Sequence, residues 1–410
     1  MVEQELIPGL FRTEFRKITA VLCKFLGTDH IETAEDIASE TFLSALETWP
    51  YNGIPENPIA WLYSVARNKT MNYIRRNRNF AEKIVPALKG DDESGPFNDI
   101  DLSEDGIRDS QLQMLFAISH PAISRESQVG LSLRLLCGFG IGEIADALLT
   151  TSETITKRLL RAKEKLRMEK IKIEMPPDSE VDSRLDSLLT TIYLLFNEGY
   201  YSESHDSIIR EDLCLEAMRL TYLLIENERT NRPDVNALMA LMCFHSSRFG
   251  ARKNSNGEFI LYESQDESLW NKELISRGAY FLNRAASGSR ISKYHLEANI
   301  AYWHTRKTDT AEKWENILDL YNQLLIIEYS PVAALNRTYA LSKVKGKIAA
   351  IKEAEELGLT NNHFYFTLLG ELYSNVDNNK ARMNYGKALE LARTIPEKKI
   401  ITRKIRSVHL

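Results

Sequence analysis

A 3.6-residue periodicity of apolar positions recurs from one end of this chain to the other, and the strand-like alternation bounded by turns that would compete with it does not occur. Glycine and proline, the residues that punctuate helices, number only 19 and 12 in 410. The pattern predicts an all-α fold, and a chain of this length should divide into two or three domains. Cys23, Cys137, Cys214 and Cys243 are scattered without paired ligand spacing. That argues against a structural zinc and against a secreted disulfide scaffold, and it fits a reducing cytoplasm. No apolar run approaches the roughly twenty residues of a membrane span, and Met1 to Glu5 lack the layout of a signal peptide, so a soluble protein is expected. The formal net charge of −5 leaves any nucleic-acid contact to local basic patches.

One such patch lies between Gly140 and Lys172. Ile141 to Leu149 is a short apolar-periodic run, Thr150 and Thr151 interrupt it, and Ser152 to Lys172 resumes it with many cations, which is helix-turn-helix grammar. At a hundred degrees per residue Ile155, Leu159, Ala162 and Leu166 share one arc and would pack on Ile144, Ala145 and Leu148. Glu153, Thr156, Lys157, Leu160, Arg161 and Glu164 lie opposite, and Thr151 is placed to accept from the amide of Thr154. Cations on such a face contact phosphates and release counterions, which makes binding salt-dependent before it is sequence-specific. A solvated basic helix would carry the same pattern, and Leu149 stands where such turns often have glycine.

Two amphipathic helices precede it, Pro8 to Leu26 and Glu32 to Trp49. The second has an apolar arc of Ala34, Ile37, Ala38, Thr41, Phe42 and Leu46, which leaves Glu35, Asp36, Glu40 and Glu47 to face outward, as solvated acids often do. Asn57 and Pro58 then form a helix start, a capping side chain followed by proline at the first helical position. That helix should run to about Arg78. Ile59, Leu62, Tyr63, Ala66, Thr70, Tyr73 and Ile74 share one arc; Trp61, Arg67, Lys69, Arg75, Arg76 and Arg78 occupy the rest with no acid among them. Guanidinium groups beside an exposed indole can hold a phosphate backbone and stack an unpaired base, worth about 1–3 kcal/mol per base. The alternative is that Trp61 is a core residue at a helix start. Residues 81–109 lose periodicity and turn acidic, which reads as a linker. A helix pair, Gln111 to Ile118 and Ser124 to Cys137, completes the module of residues 110–173.

Beyond Pro176 and Pro177 the chain is long enough for a domain of its own, 180–410. Leu185, Leu188, Leu189, Ile192 and Leu195 lead into Asn197-Glu198-Gly199-Tyr200, where the glycine is expected to break the helix. Leu335, Asn336 and Tyr339 recur 34 residues later as Leu369, Gly370 and Tyr373, the period of tetratricopeptide repeats. The last four helices then form two repeats over about 330–395, opened by Ser330 and Pro331, with either a peptide-binding groove or a purely structural stack. Glu198, His205 and Asp206 lie close in sequence but lack further ligands at metal or acid-base spacing, so no catalytic or metal site and no cofactor is expected. Asn197 and Glu198 read better as cap or contact residues.

Three stretches in one order carry a resemblance: Ala34 to Phe42 (AEDIASETF); Asn57 to Leu62 (NPIAWL) with Val65-Ala66-Arg67-Asn68; and Glu143-Ile144-Ala145 with Arg158 to Ala162 (RLLRA). Together they resemble the sigma-70 family, and more narrowly its extracytoplasmic-function (ECF) sigma factors. The resemblance implies a cytoplasmic, non-enzymatic protein with sigma region 2 at 1–80 and region 4 at 110–173. It implies that Asp36, Glu40 and Phe42 dock the clamp helices of the RNA polymerase core. Trp61, Arg67, Asn68, Lys69, Arg75, Arg76 and Arg78 would trap the −10 strand of promoter DNA, and Ser152, Thr154, Thr156, Lys157, Arg158 and Arg161 would read the −35 element. The C-terminal part resembles the tetratricopeptide-like extension of one ECF group, for which Asn197, Glu198, Gly199 and Tyr200 are a regulatory hallmark. That likeness implies control of activity by the extension, with a DGPF-motif (YCII-related) protein as possible partner. A helix-turn-helix regulator on a repeat scaffold, never entering polymerase, is the alternative.

Overall fold

A computed structural model describes residues 2–84, 100–148, 150–200, 210–252, 260–288, 290–392 and 394–408, with side chains for the same residues except 2–5, 78–84 and 396. Leu149, His205, Asp206 and most of the acidic linker lie outside them. The described residues are helical, without a strand, and fall into two compact units, 1–195 and 196–410. All four cysteines are buried free thiols.

The first unit is built around α1 (Val2–Leu26), which touches α2 (Ile31–Asn52), α3 (Pro58–Ile84) and α4 (Glu104–Ile118). Phe15, Ile18 and Leu22 of α1 are fully buried, each worth about 1.5–3 kcal/mol. Gly27, at φ 83°, turns the chain from α1 toward α2. Gly53, at φ 80°, ends α2 by donating its amide to the Trp49 carbonyl at 3.0 Å. Asn57 accepts from the Ala60 amide at 3.0 Å and Pro58 opens α3, as the sequence predicts.

α5 (Arg125–Leu131) is shorter than the expected Ser124 to Cys137 helix, because the chain widens into a π turn at Ser132–Leu136 and reverses at Gly138, φ 77°. α6 (Ile141–Ala147) and α7 (Ser152–Met168) follow, joined by a short turn, and then α8 (Asp178–Tyr200). Residues expected to form separate modules thus share one unit, since α1 packs both on α2 and α3 and on α4 and the π turn.

The second unit holds α9 (Glu211–Glu226), α10 (Pro233–Ser246), α11 (Lys272–Ala285), α12 (Lys293–Trp303) and α13 (Ala311–Ile327). α10 is apolar all round and buried on every side from Val235 to Phe244, so it forms the centre against α9, α11 and α12. α14 (Pro331–Lys345), α15 (Lys347–Leu357), α16 (His363–Tyr373) and α17 (Asn378–Leu391) then stack as sequential neighbours. Ser330 caps α14 and Pro331 opens it. Gly370 lets α16 approach α17, where an added Cβ would stand 2.6 Å from the Tyr385 ring. The expectation that these four helices are the last needs correcting: α18 (Ile395–Ser407) packs on α17 beyond them.

Candidate nucleic-acid interface

α2 divides its acids between two faces. Asp36 and Glu40 are exposed, next to Leu43 and Glu47, and Glu40 holds Lys69 of α3 at 3.2 Å. Two expectations for this helix are overturned. Leu46, assigned to the apolar arc, is 54% exposed, so with Leu43 it adds apolar surface beside the acids. Glu35, assigned to the outer face, is buried: one carboxylate oxygen accepts from Arg134 Nε at 2.6 Å and the other from Lys163 Nζ. Periodicity missed it because a carboxylate goes inside only when cations meet it there. Phe42 is buried with its ring edge-on to Phe11 at 5.0 Å, so it supports the acidic face from beneath and does not present itself to a partner.

On α3, Leu62, Ala66 and Thr70 are fully buried as expected, and Tyr63 donates to Glu14 at 2.6 Å. Burial and the Glu14 carboxylate push the Tyr63 phenol well above its usual range. Arg67, Asn68, Arg75 and Arg76 are exposed, while Lys69 is half-buried by its pairing to Glu40. The side chain of Arg78 lies outside the described residues. Trp61 takes an intermediate position, half-exposed and edge-on to the buried Trp49 at 5.4 Å. It is neither wholly core nor wholly free, packed on Trp49 with part of its surface exposed. Tyr51, Ile54 and Ile59 are exposed apolar groups at the end of α2, on the connection and at the start of α3.

α7 buries Ile155, Leu159, Ala162 and Leu166, the arc read from periodicity, and Thr151 accepts from the Thr154 amide at 3.2 Å. Ser152, Thr154, Thr156, Lys157 and Arg161 are exposed and Arg158 is half-buried. Lys157 is engaged by Glu153 at 2.6 Å. A groove of about 610 Å³ runs between α7 and the turn that leads into the start of α5, lined by Lys157, Arg158, Arg161 and Lys165 with Glu126 as its acid. Residues Ala122 to Ser127 carry no cationic run of their own, which is why the sequence did not pair them with α7.

The described geometry places an acidic surface, a cationic helix face with a half-exposed indole, and a basic groove in one unit. The family described as Sigma-70 region 2 matches residues 10–80, which takes in most of α1 and α3 and all of α2. RNA polymerase sigma factor YlaC of Bacillus subtilis (strain 168) is 32% identical over 77 residues, 19% of this chain and 43% of that protein. The chain is a sigma-70 family member. It is also 34% identical over 376 residues to the uncharacterized protein R00370 of Rhizobium meliloti (strain 1021), which covers 90% of this chain and 88% of that protein, and it belongs to one family with it. No solved structure matches the chain.

In this sigma-70 family member a family of unknown function (DUF6596) matches residues 184–286. The stretch includes Asn197 to Tyr200, the last residues of α8; Gly199, where a break is expected, is itself helical, one residue before the described end of the helix. Its function is close approach: an added Cβ would stand 2.7 Å from both the Arg210 carbonyl and Cys214 Sγ, and the Gly199 carbonyl accepts from the Arg210 amide at 3.0 Å. Tyr200 is buried, with its hydroxyl accepting from Arg248 at 3.2 Å, the Arg252 guanidinium 4.0 Å over its ring, and His245 at 4.5 Å. Asn197 and Glu198 are half-buried. Among the described helices none is long and apolar enough to cross a membrane.

Proposed function

We propose that the chain is a promoter-specificity subunit of bacterial RNA polymerase of the ECF type, controlled by its C-terminal half. The observation that carries this reading is the region 2 match over helices whose outer faces are an acidic surface at Asp36 and Glu40 and an acid-free cationic strip with Trp61. Asp36 and Glu40 meet the polymerase clamp helices; Leu43 and Leu46 supply apolar contact beside them. The work is physical and not bond chemistry. Opening duplex DNA costs about 1.4 kcal/mol per base-pair step. A surface that binds single strand better than duplex offsets that cost, through the cations of α3 and stacking on the indole. α7 reads the −35 element with Thr154, Lys157, Arg158 and Arg161, while the groove carrying Lys165 takes the phosphates beside it.

The two promoter elements lie far apart on DNA, whereas Lys163 and Arg167 of α7 pair with Glu35 and Glu32 of α2. Reading both at once requires this cluster to open, so the described arrangement is the resting one. The stack of α14 to α17, with its 34-residue recurrence, supports a tetratricopeptide-like regulatory domain. A DGPF-motif protein is the partner proposed for it, from the resemblance alone. Run-off transcription with purified core polymerase tests the main reading. Product from a cognate promoter is expected; silence on every candidate promoter, where a control sigma factor works, would leave only a DNA-binding regulator.

A further inference from the structure

The last helix of the chain has a charge distribution that its place in the fold does not explain. From Asn378 to Leu410 there are nine lysines and arginines against two acids, Glu390 and Glu397, in a chain whose formal net charge is −5. α18 sorts them by face. Ile401 and Val408 are buried, and Lys404, on the inner side, holds Glu371 at 2.5 Å. Glu397, its one acid, is used at the cap, accepting from the Thr394 amide at 3.0 Å and facing His363 Nε2 at 3.4 Å. Lys398, Lys399, Arg403 and Arg406 are exposed. At a hundred degrees per residue these four occupy an arc of about 140° with no acid in it.

A helix that ends a stack needs a polar outer face, and both signs of charge supply one equally well. The exposed face of α15, inside the stack, carries both signs in Lys352, Glu355 and Glu356. The single sign on α18 therefore points to an anionic ligand. The four cations span roughly 12 Å of helix, a length over which duplex DNA carries about seven phosphate charges. Lys380 and Lys387 of the neighbouring α17 are exposed as well, held over the α16 rings of Tyr373 and Phe366 at 5.0 and 5.4 Å. An acidic protein partner would use aromatic or apolar anchors, and among the described side chains of α18 only Ile395 is apolar and exposed. Backbone recognition of nucleic acid needs no such anchor.

We propose that the outward face of α18, through Lys398, Lys399, Arg403 and Arg406, binds the phosphodiester backbone of nucleic acid without regard to sequence. The site is separate from α3 and α7, and it stands whether or not the promoter reading does. The test uses the full chain and fluorescence anisotropy with a labelled duplex of scrambled sequence over a range of salt concentrations, and with a single-stranded RNA of the same length. The fourfold variant Lys398→Gln, Lys399→Gln, Arg403→Gln, Arg406→Gln should bind at least about tenfold more weakly at low salt and lose about 2–4 from the log–log salt slope. The charge-preserving variant Lys398→Arg, Lys399→Arg, Arg403→Lys, Arg406→Lys should bind as the parent does. A greater loss on duplex than on RNA identifies DNA as the source of the phosphates, and the reverse identifies RNA. An unchanged slope in the glutamine variant, or an equal loss in the charge-preserving one, overturns the proposal, as does binding of an acidic protein with no effect on either nucleic acid.

Discussion

Glu35 of α2 accepts a hydrogen bond from Arg134 at 2.6 Å across 99 residues of sequence, and its second oxygen takes Lys163 of α7. Removing one member of such a buried set leaves uncompensated charge, which costs about 3–5 kcal/mol. Lys163→Ala should therefore lower the urea midpoint of the first unit sharply, whereas pairing Lys163→Met with Glu35→Gln should recover part of the loss. A midpoint for Lys163→Ala within error of the parent would show that the pairing is not populated in solution.

The outer and inner residues of α2 should behave oppositely. Asp36→Ala with Glu40→Ala is expected to weaken binding to core polymerase while leaving helicity and melting unchanged, because both side chains are exposed. Phe42→Ala should instead destabilise the fold by about 3–5 kcal/mol through the cavity it leaves. Pull-down with core enzyme and a thermal melt on each variant separate the two roles.

Trp61 packs on Trp49 and keeps part of its surface exposed on the cationic helix, so its replacement should weaken the hold on opened DNA. Trp61→Ala is expected to cost about 1–3 kcal/mol of strand opening, or roughly 5- to 150-fold. Permanganate reactivity of unpaired thymines reports this directly, and duplex binding by α7 measured in parallel should not change.

Gly199 sits where α8 meets the start of α9 too closely for a side chain. Gly199→Ala should destabilise the second unit by about 1–3 kcal/mol, since the Arg210 carbonyl is backbone and cannot rotate away. Scanning calorimetry that finds the variant as stable as the parent would show that the backbone there yields more easily than its packing implies.

Acid should act on the second unit below neutrality. Burial, then Arg248 and Lys313, holds His304 down to about 3, and burial with Arg248 and Arg252 keeps His245 well below its usual value. Both imidazoles are neutral in the fold but take up protons near pH 6.5 when unfolded. The stability they contribute is complete above that value and is lost as pH falls below it, for His304 down to about 3, by up to about 1.4 kcal/mol per unit for each group. Urea midpoints measured from pH 7 to pH 4 should decline less steeply in His304→Phe.

The sequence by itself determined what is local. The helical periodicity, the caps at Asn57, Thr151 and Ser330, and the buried arc of Ile155, Leu159, Ala162 and Leu166 all depend on residues within a few positions of one another. The same locality made Asp36, Glu40 and the cations of α3 legible as outward faces. The tertiary structure decided what depends on partners distant in the chain. Glu35 goes inside because Arg134 and Lys163 arrive from 99 and 128 residues away, and no hydropathy wheel contains them. Leu46 stays outside because none of the described helices covers it, and position 199 has no room for a side chain because the start of α9 comes against it. A periodicity shows which face of a helix is apolar, but burial of a charge, a leucine or a glycine is fixed by what the rest of the chain brings to that face.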